Sequence, residues 1–266
     1  MQKSFENRIA VVTGGASGIG EATARLFAAR GARVVVADLN EGGANEVAGE
    51  IGGVAMAVDV TDEAAVEAMA ARVEAELGPA DVVVTSAGIT QRPLPPEELR
   101  QEIWDKVLDV DLKGTYLTCL AFGRRMAVRG SGAIITIASI TGMRATPLHS
   151  YAPAKAAVIN LTAGLAAEWG RSGVRVNTIS PGYTLTPLLQ TAIQRGQRDP
   201  ALLNENSALG RMVRPEEIAQ AAAFLASEEA SAITGINLPV DAGWLTAGPW
   251  HTYGGVRAER DTADRA

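Results

Sequence analysis

Short apolar runs alternate with longer amphipathic stretches along most of the chain. Ile9 to Thr13, Val34 to Ala37, Val54 to Val58, Val82 to Val84, Ile134 to Ile137 and Val174 to Ile179 have strand length and strand composition. Their apolar residues are continuous rather than alternating, which predicts burial on both faces and hence a parallel sheet between helices. Helical spacing fills the intervals. Ala22, Leu26 and Ala29 form one stripe in a helix from Ile19 to Arg30, and a second helix from Val66 to Leu77 stops at Gly78-Pro79. A long helical region runs from about Glu97 to Arg129, and another spans Ser150 to Trp169. This rhythm predicts an α/β fold: one doubly wound, Rossmann-type domain over residues 1–248, with a mostly parallel seven-stranded sheet and helices on both faces. Thr184 to Arg211 breaks the pattern with Pro187, Gly196, Pro200 and Gly210 and has no strand; a lid over a site is expected there. Residues 249–266 form a tail whose charged end, Arg257 to Ala266, is expected to be disordered.

Composition narrows the function. The 266 residues carry 24 Lys+Arg against 30 Asp+Glu, a net charge of -6, which argues against nucleic-acid binding. One cysteine, Cys119, precludes an internal disulfide framework and fits a reducing compartment. No apolar stretch approaches the ~18 residues of a membrane span. Met1 to Arg8 lacks the features of a signal peptide, so a cytoplasmic protein is expected.

The first predicted strand runs through Thr13-Gly14-Gly15-Ala16-Ser17-Gly18-Ile19-Gly20 into a helix. Glycines at such a turn let the backbone approach a pyrophosphate, and the helix N-terminus offers unpaired N–H groups and partial positive charge. A nucleoside-triphosphate loop would need Lys and Ser/Thr after Gly20, where Glu21 and Ala22 stand. Asp38 ends the second strand 18 residues after Gly20, where an acid can accept from ribose hydroxyls and repel a 2′-phosphate. Leu39 follows it instead of an arginine, and the pair favours NAD over NADP. A plain tight turn and a helix cap are the alternatives. Asp59-Val60 can hold the adenine edge, or Asp59 can cap the helix starting near Asp62.

Tyr151 and Lys155 are four residues apart, on one helical face. An ammonium at about 5 Å and an effective dielectric near 20 favours the phenolate by roughly 3 kcal/mol, about two pKa units. A phenol so tuned can take the proton of an alcohol. Ser139 ends the fifth strand at the carboxyl edge of the sheet, where its hydroxyl can hold a substrate oxygen. A surface Tyr-Lys pair and a strand-end serine are the plain alternative.

Together these motifs resemble the short-chain dehydrogenase/reductase family, over roughly Arg8 to Gly243. The glycine turn, Asp38, Asp59-Val60, Ala87-Gly88, Ser139, Tyr151-x-x-x-Lys155 and Pro181-Gly182 follow the family's order. The resemblance implies Tyr151 as acid/base, Lys155 as its tuner and a ribose ligand, and Ser139 as the substrate-oxygen anchor. Cofactor contacts are implied at Gly14, Ser17, Gly18, Ile19 and Gly20, and at Leu39, Val60, Ser86, Ala87 and Gly88. Pro181, Gly182, Thr184 and Thr186 are implied at the nicotinamide end, and a homotetramer as the assembly. Two positions depart from the pattern: Thr85-Ser86 replaces Asn-Asn, and Asp111 replaces the fourth catalytic member, an asparagine. In the family that asparagine's main-chain carbonyl orders a water leading to the lysine, a role aspartate can preserve.

Arg92, Arg144, His149 and Tyr183 adjoin these segments. A pocket with several donors suits a polyol, sugar or hydroxy acid better than a steroid; solvated loop positions are the alternative. The expected activity is NAD-dependent interconversion of a secondary alcohol and its ketone. A methyltransferase shares the glycine turn but leaves Ser139, Tyr151 and Lys155 idle, and no Gly-x-Ser-x-Gly elbow marks a serine hydrolase. An NAD-binding sensor without turnover is the remaining alternative.

Overall fold

Seven strands form one wholly parallel sheet in the order β3-β2-β1-β4-β5-β6-β7. They are β1 (Ile9–Thr13), β2 (Arg33–Asp38), β3 (Val54–Ala57), β4 (Val82–Thr85), β5 (Gly132–Ile137), β6 (Val174–Pro181) and β7 (Asn237–Val240). The computed structural model describes residues 5–257. The expected disorder of Arg257 to Ala266 therefore falls, beyond its first residue, outside the described residues.

Alternate residues of each strand serve opposite layers. Ala10, Val12, Val34 and Val36 join a core with α1 (Gly18–Ala29), α2 (Glu41–Ile51) and α9 (Pro215–Ala226). Val11, Val35, Val83 and Ile134 join the other, with α3 (Glu63–Glu76) and α5 (Thr115–Arg129). Burial on both sides explains the continuous apolar runs. Strand order reverses between β1 and β4, which pair Thr13 with Thr85. The loops leaving those two strands flank the crevice in which such sheets bind ligands.

Several elements differ from the sequence expectation. Helix α2 has a glycine-rich, weakly periodic sequence; Asn40 caps its start and Gly52, in the left-handed region, ends it. Residues 97–129 do not form one helix. α4 (Gln101–Leu108) is separated from α5 by a π-helical turn, Asp109–Gly114, where Gly114 packs against Val60. Strand β7 is short and partly exposed, and carries Pro239 on the sheet edge, so its pattern is faint. Thr184 to Arg211 has no strand, but holds α7 (Pro187–Gln194) and α8 (Pro200–Glu205), each opened by proline. α6 (Tyr151–Trp169) and α10 (Trp244–Ala247) complete the α-helices among the described residues.

Candidate active site

The glycine turn closes tightly between β1 and α1. Gly14 has φ +66°, and a side chain there would meet the Ala87 backbone at 2.6 Å. A Cβ at Gly20 would lie 2.0 Å from the Gly14 carbonyl oxygen. Ser17 precedes α1 without a capping bond from its side chain, leaving the first-turn N–H groups without that partner. Asp38 Oδ2 accepts from Ala16 N at 3.0 Å and Oδ1 from Asn40 N at 2.8 Å, so its carboxylate ties β2 to the glycine turn. Asn40, not Asp38, caps α2. Leu39 is exposed. Asp62, not Asp59, caps α3. Asp59 instead accepts from Thr61 N and Oγ1, and those bonds hold its carboxyl below the usual range.

From β4, Ser86 N donates to Thr13 O at 3.1 Å, bringing Ala87 against Gly14. The hydroxyls of Thr13 and Thr85 are buried without partners. Thr184 Oγ1 donates to Gly182 O, and Thr186 caps α7 while its methyl lies over Gly18. Pro181 pairs in register with Val240. These features fit a dinucleotide: backbone cradles that a Cβ would fill, a helix start without a side-chain cap, an acid at the end of β2 and unsatisfied hydroxyls on the last residues of β1 and β4.

The catalytic candidates converge beside it. Lys155 is buried; its Nζ donates to Ile137 O at 3.0 Å, lies 3.2 Å from Asp111 Oδ1, and stands 5.5 Å from the centre of the Tyr151 ring. Ser139 lies close enough to the Tyr151 phenol to pull its pKa down, the weakest of the influences on that group. Ser139 Oγ accepts from Thr141 N at 3.2 Å and from Thr141 Oγ1 at 3.0 Å. Gly88 touches this cluster, since a Cβ there would meet Asp111 Oδ1 at 2.6 Å.

The electrostatics correct one expectation. Burial raises the Tyr151 pKa above that of an ordinary phenol; Lys155 pulls it down, but Asp111 pushes it up again. The net direction is upward, because desolvation of the phenolate outweighs a cation whose charge is shared with a carboxylate. Burial opposes the charge on Lys155, yet Asp111 and Tyr151 together raise its pKa. Burial raises Asp111 against the pull of Lys155.

Two contributors escaped the sequence reading. Gln91 Oε1 accepts from Ser150 N at 2.6 Å, from Ser150 Oγ, and from Tyr151 N at 3.4 Å, clamping the start of α6 from the loop after β4. Thr141 orients Ser139. Only a partner brought in from a distant segment would reveal Gln91, whereas Thr141 two residues after Ser139 is a legible side-chain turn.

The proposed substrate residues do not share one cavity. Arg144 and His149 line an open cleft of about 400 Å³ with Thr141, Met143, Leu148 and Pro153. Tyr183 is not in that lining; it packs edge-on against Trp244 at 5.5 Å. Arg92 is exposed. Trp250, His251 and Tyr253 are exposed on the closing 3-10 turns. Cys119 is buried in α5, and burial pushes its thiol up to about 12, which makes it inert. Among the described residues, no helix is long and apolar enough to cross a membrane.

The family model described as enoyl-(acyl carrier protein) reductase matches residues 14–245. A D-threitol dehydrogenase from Mycolicibacterium smegmatis is 44% identical over 246 residues, 90% of this chain and 94% of that one. A cis-4-hydroxycyclohexanecarboxylate dehydrogenase from Sinomonas cyclohexanicum is 45% identical over 250 residues, 92% of this chain and 99% of that one. A solved structure described as ribose-5-phosphate isomerase from Brucella melitensis superposes with a TM-score of 0.94 at 53% identity, covering 96% of this chain and 100% of that one. With the glycine turn, the parallel sheet and the Tyr151–Lys155 face already in place, these matches establish that the chain belongs to the short-chain dehydrogenase/reductase family.

Proposed function

We propose that this protein is an NAD-dependent oxidoreductase that interconverts a secondary alcohol and its ketone, with Tyr151 as acid/base. The observation that carries the reading is the buried Lys155 ammonium 5.5 Å from the centre of the Tyr151 ring, on the same helical face. A bound NAD supplies the acceptor for the hydride that leaves the alcohol carbon. The protein does the rest. Ser139 Oγ holds the substrate oxygen, and the Tyr151 oxygen takes the hydroxyl proton. Lys155 stabilises the phenolate and would hold the ribose of a bound dinucleotide, Thr141 fixes the serine hydroxyl, and Gln91 fixes the backbone at Tyr151. In ketone reduction the same groups return the proton.

The glycine turn, Ala87-Gly88 and the Thr184–Thr186 segment form the cofactor crevice in this reading, and Asp38 selects NAD over NADP by repelling a 2′-phosphate. A polyol, sugar or hydroxy acid is the proposed substrate class. It is supported by the donors of Arg144 and His149 and by relatives named for threitol and a hydroxycyclohexanecarboxylate. Residues 1–248 act as one catalytic unit, with 184–211 as the substrate lid. A cytoplasmic homotetramer is the proposed state; exposed Tyr116 and Val128 on α5 supply apolar surface for a subunit contact.

An aldose–ketose isomerase moves hydrogen within the sugar and needs no dinucleotide, so that chemistry would leave Asp38 and the glycine turn without work. Following NADH absorbance with a panel of polyols, sugars and hydroxy acids, with NAD and NADP in parallel, tests the proposal. Turnover with at least one alcohol is expected. Complete silence of a folded, NAD-binding sample would instead favour a sensor, and sugar isomerisation without added dinucleotide would favour the isomerase.

A further inference from the structure

Asp111 is completely buried on the π-helical turn between α4 and α5. Its Oδ1 accepts from Ile89 N at 3.2 Å and pairs with Lys155 Nζ at the same distance. Its Oδ2 is buried with no partner. A carboxylate in such a place requires a cation to answer it. The answering cation is the ammonium that faces Tyr151. The family's asparagine can give a main-chain carbonyl to a water; it cannot give a charge to the lysine.

We propose that Asp111 is a positioning residue that acts through Lys155: its carboxylate shares the ammonium's charge and thereby sets how alkaline the medium must be before Tyr151 releases its proton. The proposal rests on the acid/base reading of Tyr151. Among the described residues, the charged groups acting on the phenol are Lys155 from its own helix and Asp111 from the π-helical turn. The other neighbours are neutral: Ser139 and Thr141 from the turn after β5, and Gln91 from the loop after β4. Arg144 and His149, on the loop before α6, line the adjoining cleft. The electrostatics follow from this arrangement: Lys155 favours the phenolate and Asp111 opposes it. An amide in place of the carboxylate keeps an acceptor for Lys155 and Ile89, puts a donor where Oδ2 has no partner, and leaves the ammonium's charge to act on the phenol alone.

The test uses the whole chain without cofactor. Phenolate absorbance is followed during alkaline titration, and subtraction of the Tyr151→Phe trace isolates one of the four tyrosines. Asp111→Asn should lower the Tyr151 midpoint by about one pH unit, some tenfold more phenolate at a given pH below it. The rising limb of the alcohol-oxidation pH profile should move the same way. A purely structural role would change thermal stability and leave the midpoint in place. Asp111→Ser is measured alongside, and either variant, once shown to be folded, suffices. An unmoved or raised midpoint overturns the proposal; so does failure of both variants to fold, which would make the carboxylate a structural requirement. Undiminished turnover in Tyr151→Phe would sink the acid/base reading instead, while a shift in the titration would still report Asp111 acting on that phenol.

Discussion

Replacing Gly20 with alanine tests the glycine turn at its tightest point. The added carbon would sit 2.0 Å from the Gly14 carbonyl oxygen and 2.7 Å from the Gly14 carbonyl carbon. That is about 1.5 Å short of an optimal contact. Overpacking of this kind costs about 1–3 kcal/mol, and because the near neighbours are all backbone atoms of Gly14 and Gly15 the upper end applies. Alanine's better helix propensity offsets about 1 kcal/mol, leaving a net loss of about 2 kcal/mol. For a chain of this size that lowers Tm by about 4–8 °C. In the proposed function the same displacement opens the turn that would cradle the pyrophosphate, so NAD affinity should fall at least ~10-fold, or ~1.4 kcal/mol. Gly49→Ala is the internal control: it lies in α2 with nothing within 4 Å of the added carbon. It should gain about 1 kcal/mol and leave NAD binding unchanged. Thermal unfolding and a fluorescence titration with NAD read both quantities. Parental stability and parental NAD affinity in Gly20→Ala would refute the claim that this contact shapes the site.

Three further outcomes are expected. Tyr151→Phe should reduce turnover by about 10²–10⁴-fold with NAD affinity largely kept, as general acid–base catalysis contributes that much; steady-state kinetics and a binding titration separate the two. Asp38→Asn removes the charge but retains one of the two acceptors that hold Ala16 N and Asn40 N, so stability should fall by about 1 kcal/mol while discrimination against NADP relaxes. Parallel titrations with the two dinucleotides check this, and an unchanged ratio would remove Asp38 as the selector. Glu217, gripped by Arg211 and by Arg214 N, has its pKa lowered to about 2. Its folded value lies below its unfolded one, so its contribution is present above about pH 4.5 and is lost as pH falls toward 2. The arginines face solvent, which screens the interaction, so that contribution is about 1 kcal/mol; Glu217→Gln should flatten the acid limb of stability by that amount in denaturant melts across pH.

Much of the candidate site is legible because its determinants are local. The glycines act within one turn, Asp38 ends the strand that the apolar run defines, and Tyr151 and Lys155 share a helical face by spacing alone. Gln91 is different. It works on Ser150 and Tyr151 from the loop after β4, and nothing in its neighbourhood marks a polar side chain as destined for burial. The weakly patterned α2 and β7 also lay beyond the periodicity, since Gly42, Gly43 and Pro239 contribute no apolar stripe and take their place from capping and sheet pairing.

By itself, the sequence determined the parallel α/β architecture, the glycine turn with its acid, and the Tyr151–Lys155 face, because strand burial and helical spacing are written in consecutive residues. Tertiary structure alone decided the rest. It broke the long helical region at Asp109–Gly114, turned the Asp111 carboxylate onto Lys155, and made burial outweigh the lysine in setting the phenol's proton affinity. Those outcomes depend on solvent exclusion and on charges that meet from separate segments. Neither quantity exists until the sheet and its two helical layers have closed around them.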